Sequence, residues 1–380
     1  MSIELHDLHD AIAGIGLVDH HVHGSLRGAC RRDQFESLIT ESDRPVPAWM
    51  TQFDSQVGFA IRRHCAPVLG LAPNVEADSY WSAREAFTAD ELTSRFLGSS
   101  GVAHWLMETG YRGDEILTND ELTGLLSSPV SEVVRLESVL ESVAPTSTAA
   151  GLRADFCEEL ARRTATAVGL KSIVAYRYGF DFDPTPPSDQ EVTDAAGRWL
   201  RECEAGDARV ADPVLLRMLL WEATETGLPL QLHAGYGDPD VELHRCDPLL
   251  LTRWLKAVEP TGMDVLLLHC YPFHRNAGYL AQVFPHVYFD VGLAINYTGA
   301  RSAQVIAESL ELAPFAKILY SSDAWGPPEL HYLGATLWRQ GMETVLGGFV
   351  DRGEWAADDA MRVAWMVGRE NAQRVYGVRQ

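Results

Sequence analysis

No stretch among these 380 residues approaches the roughly 20 consecutive apolar residues that a membrane-spanning helix needs. A basic leader is also missing. Met1–Leu17 carries Glu4, Asp7 and Asp10 and no lysine or arginine, so no secretory signal is expected and the cytoplasm is the expected location. Positive charge is scarce: 31 Lys and Arg stand against 53 Asp and Glu, for a net charge of −22. That balance argues against nucleic acid and anionic membranes as partners. The six cysteines (Cys30, Cys65, Cys157, Cys203, Cys246 and Cys270) form neither a CxxC pair nor a dense framework, so free thiols are expected. Internal repeats and low-complexity tracts are absent as well.

What is present is a long alternation of short apolar runs and helical stretches. The hydrophobic fraction of 46% suits a chain with a sizeable core. After a helix at 4–13, a first strand runs from Gly16 into His20-His21-Val22-His23. Residues 31–98 have helical spacing, with breakers at Pro45, Pro47 and Pro73, and read as an insertion able to act as a lid. Its aromatic residues Trp49, Phe53, Phe59, Trp81 and Phe87 are expected to pack it internally. Further strands are expected at 102–107, 130–136, 170–176, 228–233, 265–269, 287–291 and 318–323, separated by helices. Short apolar runs buried on both faces are what a parallel sheet requires. Eight such units predict a (β/α)8 TIM-like barrel of 1–30 and 99–380, about 250 residues being usual for a barrel, with 31–98 inserted after the first strand.

The polar residues that punctuate these runs carry the chemical signal. His21 and His23 end the first strand, His233 the fifth, His269 the sixth and Asp323 the eighth. In a β/α barrel such ends share one face, where active sites are built. His21 and His23 are two apart on a strand and point the same way, whereas His20 points oppositely and reads as structural. Imidazoles and a carboxylate suit zinc, and iron or manganese in some settings. A bound divalent ion lowers the pKa of its water from about 16 towards about 7.

Val18-Asp19-His20-His21-Val22-His23 resembles the first-strand signature of the amidohydrolase superfamily. The segments 169–178, 268–273, 287–290 and 319–324 resemble its amidohydrolase-2 group, and within it the module fused to a glutamine-synthetase-like domain in certain plant and fungal proteins. The resemblance implies metal binding by His21, His23, His233 and Asp323. It implies that His269 polarises substrate or shuttles a proton, and that Asp323 also takes the proton of the attacking water. Binuclear relatives bridge two metals with a carboxylated lysine on the fourth strand, placing both later histidines on the second ion. Lys171 lies on that strand but only two residues past Gly169, low in the barrel, so a single ion, Zn2+ first, is expected over two.

Arg177 is expected near the barrel mouth if the fourth strand continues, where a guanidinium could grip a substrate carboxylate or pair with a loop acid. Trp325, His331, His274 and Arg275 are placed to line the pocket or to pack, and Asp290 reads as structural. Asn276 stands where the resembled branch commonly has an acid. The leading functional expectation is hydrolysis of a C–N amide bond in a small carboxylated substrate. Non-oxidative decarboxylation of a small carboxylic acid is the alternative, and a metal-binding scaffold without activity the third. A small molecule is the expected partner, with a homodimer open, since dimers are common for such barrels.

Overall fold

The computed structural model describes residues 3–204, 206 and 208–378. The chain divides into two compact units, Met1–Ser131 with Asp290–Gln380, and Glu132–Phe289.

In the first unit, β1 (Leu17–Val22) and β2 (Val102–Glu108) pair in parallel, with Leu17 opposite Val102 and Val22 opposite Met107. Every residue of β1 is buried. All the regular elements between these two strands are helical, among them Arg32–Leu38, Ala77–Arg84 and Ala89–Ser99. The last of these starts at a capping box, in which Thr88 accepts the Glu91 amide and the Glu91 carboxylate accepts the Thr88 amide. The aromatic residues expected to pack this segment divide. Phe53 and Trp81 are buried, with Phe35 stacked 5.8 Å from Phe53 and 5.6 Å from Trp81. Trp49, by contrast, is 84% exposed and Phe59 56% exposed, so neither belongs to that core.

The second unit winds β3 (Val130–Arg135), β4 (Gly169–Ser172), β5 (Leu230–Ala234), β6 (Val265–His269) and β7 (Val287–Phe289) in parallel. The first two residues of β3 lie in the first unit, and strand order follows chain order from β1 to β7. The run Val-Leu-Leu-Leu of β6 is completely buried, each side chain contributing about 1.5–3 kcal/mol by leaving water. The helix Asp189–Cys203 buries Val192, Ala195, Ala196 and Trp199, the i, i+3, i+4, i+7 stripe of a helix laid on a sheet. Consecutive parallel strands joined by helices make this a TIM-barrel-like α/β fold.

Two expected strands differ from the structure, each for a local reason. The fourth stops at Ser172 instead of reaching Tyr176, and Val174–Arg177 forms a helical turn. The buried Glu137 carboxylate accepts both the Ser172 hydroxyl (2.6 Å) and the Ile173 amide (3.0 Å), removing the donor that a longer strand would offer its neighbour. The eighth, at 318–323, is an extended segment rather than a strand, so the described residues contain seven strands. Its Ser322 amide donates to the Asp19 side chain (3.0 Å) and Asp323 has φ +49°, which breaks the regular ladder. The segment still runs beside β1: His20 donates to Tyr320 O (3.2 Å), Asp323 to His21 O (3.1 Å) and His23 to Ala324 O (2.8 Å). No described helix is long and apolar enough to cross a membrane.

Candidate metal centre

In the first unit, period-two alternation along β1 turns His21 and His23 to one side, and the backbone bonds just described hold Asp323 against them. His21 Nε2 lies 3.1 Å and His23 Nε2 3.7 Å from the same oxygen, Asp323 Oδ1. The two imidazoles meet nearly edge to face, 5.2 Å apart at 84°. Behind His23 stands a residue that the sequence reading passed over. Glu108, fully buried at the end of β2, places Oε2 3.3 Å from His23 Nδ1 and accepts the Gly110 amide at 2.6 Å. A carboxylate near Nδ1 stands where the group that orients a histidine ligand stands in metal sites. The available signal was an acid one residue beyond the apolar run Val102–Met107.

The neighbouring residues support this geometry. His331 donates through Nε2 to the His23 carbonyl (2.9 Å), and burial pushes its pKa down to about 4, keeping it neutral. Tyr111 lies 5.5 Å from the His23 ring and meets Trp325 edge-on at 5.2 Å. His20 faces away from this group. Its Nδ1 meets the Tyr376 hydroxyl (2.9 Å) and its Nε2 meets Asp290 (3.0 Å), while Asp290 also accepts the Gly292 amide and the Ser321 hydroxyl, each at 2.8 Å.

In the second unit, His233 and His269 close β5 and β6 with ring centroids 4.9 Å apart, and Tyr176 packs 4.3 Å from His233. His233 is buried, and its Nε2 has no hydrogen-bond partner. Burial first, and then the charge of Lys171, drive its pKa well below the ordinary value, so the ring is neutral with a lone pair available. His269 and Cys270 both have positive φ, 67° and 55°, which turns the chain sharply off β6.

Lys171 is buried, in register with Arg135 on β3 and Gln231 on β5. Arg177 does not follow it along a strand. It sits on the helical turn, pairs with Glu141 at 3.0 Å and donates to Val210 O at 3.3 Å. Asn276 donates to both Asp247 oxygens (3.1 and 3.0 Å). His274 stacks on Tyr271 at 5.8 Å.

The predicted residues thus gather as His21, His23 and Asp323 in one unit and as His233 and His269 in the other, while Arg177 is committed to Glu141. In the first unit the donor atoms, two imidazole nitrogens and a carboxylate oxygen, are of the kinds that fit a divalent ion, and the orphaned Nε2 of His233 in the second unit is of the same kind.

Comparison with known proteins places these features in a family. The amidohydrolase family pattern (Amidohydro_2) matches residues 141–378. Protein fluG of Emericella nidulans is 33% identical over 222 residues, which are 55% of this chain and 25% of fluG, so the chain spans a small part of that relative. The crystal structure of a protein provisionally named a metal-dependent hydrolase, from Lactobacillus casei ATCC 334, superposes with a TM-score of 0.84 at 28% identity, covering 97% of each chain. A uronate isomerase from Bacillus halodurans C-125 shares the fold, with a TM-score of 0.65 at 15% identity over 100% of this chain and 98% of its own. The chain belongs to the amidohydrolase family.

Proposed function

We propose that His21, His23, His233 and Asp323 hold one divalent ion, Zn2+ in the first instance, and that the enzyme hydrolyses the C–N bond of a small carboxylated amide. Membership of the amidohydrolase family and the likeness to a metal-dependent hydrolase support an enzyme of the metal-dependent hydrolase type. The observation that carries the metal reading is the approach of two imidazole Nε2 atoms to one oxygen of Asp323, at 3.1 and 3.7 Å. Imidazole nitrogens and a carboxylate oxygen meeting at one point is the arrangement that donors take around a single cation. The orphaned Nε2 of buried His233 adds a further ligand atom.

A single ion is preferred because Lys171 lies only two residues past Gly169, low on its strand. When bound, the ion polarises a carbonyl and lowers the pKa of water to about 7. The protein's own groups do the rest. Asp323 accepts the proton of the attacking water and passes it to the departing amine, while His269 donates a hydrogen bond to the carbonyl oxygen. Glu108 fixes the His23 tautomer, and the insertion 31–98 serves as a lid that limits substrate size.

Elemental analysis of purified protein, paired with a screen of N-acyl and γ-glutamyl amides for amine release, tests the proposal. About one zinc per chain with amine release supports it. Carbon dioxide release without amine would instead make the enzyme a decarboxylase, and protein without bound metal would overturn the ligand assignment.

A further inference from the structure

Loss of Arg177 to Glu141 leaves the carboxylate of the proposed substrate without a partner, and the first unit contains a different guanidinium suited to it. Arg112 lies on the loop that follows β2. Its guanidinium stacks 5.1 Å from the Trp325 ring and 5.6 Å from the Tyr111 ring. Tyr111 is in turn 5.5 Å from His23, and Trp325 follows Asp323 by two residues. A chain of ring contacts therefore leads from a candidate metal ligand through Tyr111 and Trp325 to a cation.

The loop is held in place rather than loose. Leu117 donates to Ser25 O (2.8 Å), Arg27 to Glu115 O (2.9 Å) and Glu115 to Arg112 O (2.9 Å), which ties it to the residues just past His23. Arg112 itself is at φ +43°, a conformation costly for a side-chain-bearing residue and typical of positions held for function. Among the described residues its acid partner is Glu115, at 3.3 Å to each oxygen, with both side chains about half exposed. A pair of that kind is weak, so exchanging Glu115 for a substrate carboxylate costs little. Arg177, 9% exposed and 3.0 Å from Glu141, is by contrast committed. Contact with Tyr111 and Trp325 orients the guanidinium, whose N–H groups can donate to two carboxylate oxygens side by side. The same residue borders a cavity of about 720 Å³ with Leu26, Gln34 and Val46, so one wall of it comes from the insertion; Asp33, Asp114 and Glu115 also line it, with Arg27 and Arg112 as its cations.

We infer that Arg112, presented by Tyr111 and Trp325, is the specificity-determining contact for a distal carboxylate on the substrate, selecting acyl groups that end in an anion. This rests on the metal-centred reading above and names the class of substrate for it.

The test uses the metal-loaded enzyme without turnover, so that it is independent of the bond cleaved. Glutarate, with one carboxylate for the metal and one for Arg112, and butyrate, with only the first, are titrated by calorimetry. Arg112→Gln is expected to weaken glutarate by about tenfold or more, to leave butyrate within about twofold and to keep the metal content. Arg112→Lys, which keeps the charge but loses the fork, is expected to fall between. Glu115→Gln, which releases Arg112, is expected to tighten glutarate. Equal weakening of both ligands by Arg112→Gln, or no weakening of glutarate, overturns the assignment, as does failure of the wild-type enzyme to prefer glutarate. Failure of the hydrolase reading would show separately, as absence of amine release in the amide screen.

Discussion

Asp323 and Glu329 are six residues apart in one unit, and both are acids removed from most solvent, yet they are neutralised differently. Glu329, fully buried at the start of the helix Pro328–Asp351, receives Arg84 Nε at 2.6 Å, Arg84 Nη2 at 3.4 Å and the Tyr80 hydroxyl at 3.1 Å. Arg84 is held over Phe35 (4.8 Å) and Trp81 (5.4 Å) as well. The protein supplies the whole counter-charge there, and the group clamps the helix Ala77–Arg84 to the unit. Asp323 meets the ring nitrogens of His21 and His23 instead. An acid paired with its own arginine is architecture, whereas an acid among imidazoles is the setting in which we propose that a cation from outside binds.

Four experiments break or sharpen that contrast. Asp323→Asn is expected to lower amine release on the best amide of the screen about 10³-fold or more, while urea unfolding of the metal-free protein changes by no more than about 1 kcal/mol. Arg84→Met is expected to show the reverse. Leaving Glu329 buried and unpaired costs about 3–5 kcal/mol in the same unfolding assay with metal stoichiometry unchanged, and adding Glu329→Gln restores most of the loss. If Arg84→Met were thermodynamically silent, the distinction between the two acids would collapse.

Glu108→Gln separates orientation from ligation: metal affinity, measured by competition with a chelator, is expected to fall about 10–100-fold with the fold intact. The smallest effect concerns His64, beside Cys65 in the insertion, whose pKa burial lowers from 6.5 to about 4. The unfolded chain binds a proton there that the folded chain refuses, so this contribution is complete above pH 6.5 and is lost as pH falls towards 4. His64 is partly exposed, so screening holds the change below about 1 kcal/mol. His64→Gln should flatten that part of the stability profile by this amount, and an unchanged profile would contradict it.

Period and composition explain how much could be read in advance. Uninterrupted apolar runs such as Val265–Leu268 favour a strand buried on both faces, so six of the eight expected strands both begin and end within two residues of the structure and the other two depart from it. The departures lie where side chains compete with the backbone. Glu137 takes the donors that would extend β4, and Asp19 takes the Ser322 amide beside β1. These contacts join residues 35 and 303 positions apart, beyond the reach of any local pattern. Glu108 lay in view as an acid closing an apolar run, but its role depends on facing His23. Trp49 and Phe59 were indistinguishable from Phe53 by hydrophobicity, and only burial separated them.

The sequence alone determined the alternation of strands and helices, the lack of an apolar stretch able to span a bilayer, and the residue types available for a metal, because each is set by local period and by side-chain chemistry. The tertiary structure alone decided which acid meets an arginine and which meets imidazoles, which arginine is committed to an acid and which is only weakly paired, and that the buried His233 keeps an orphaned nitrogen. Those outcomes depend on distance and desolvation, which arise only when remote segments of the chain come together.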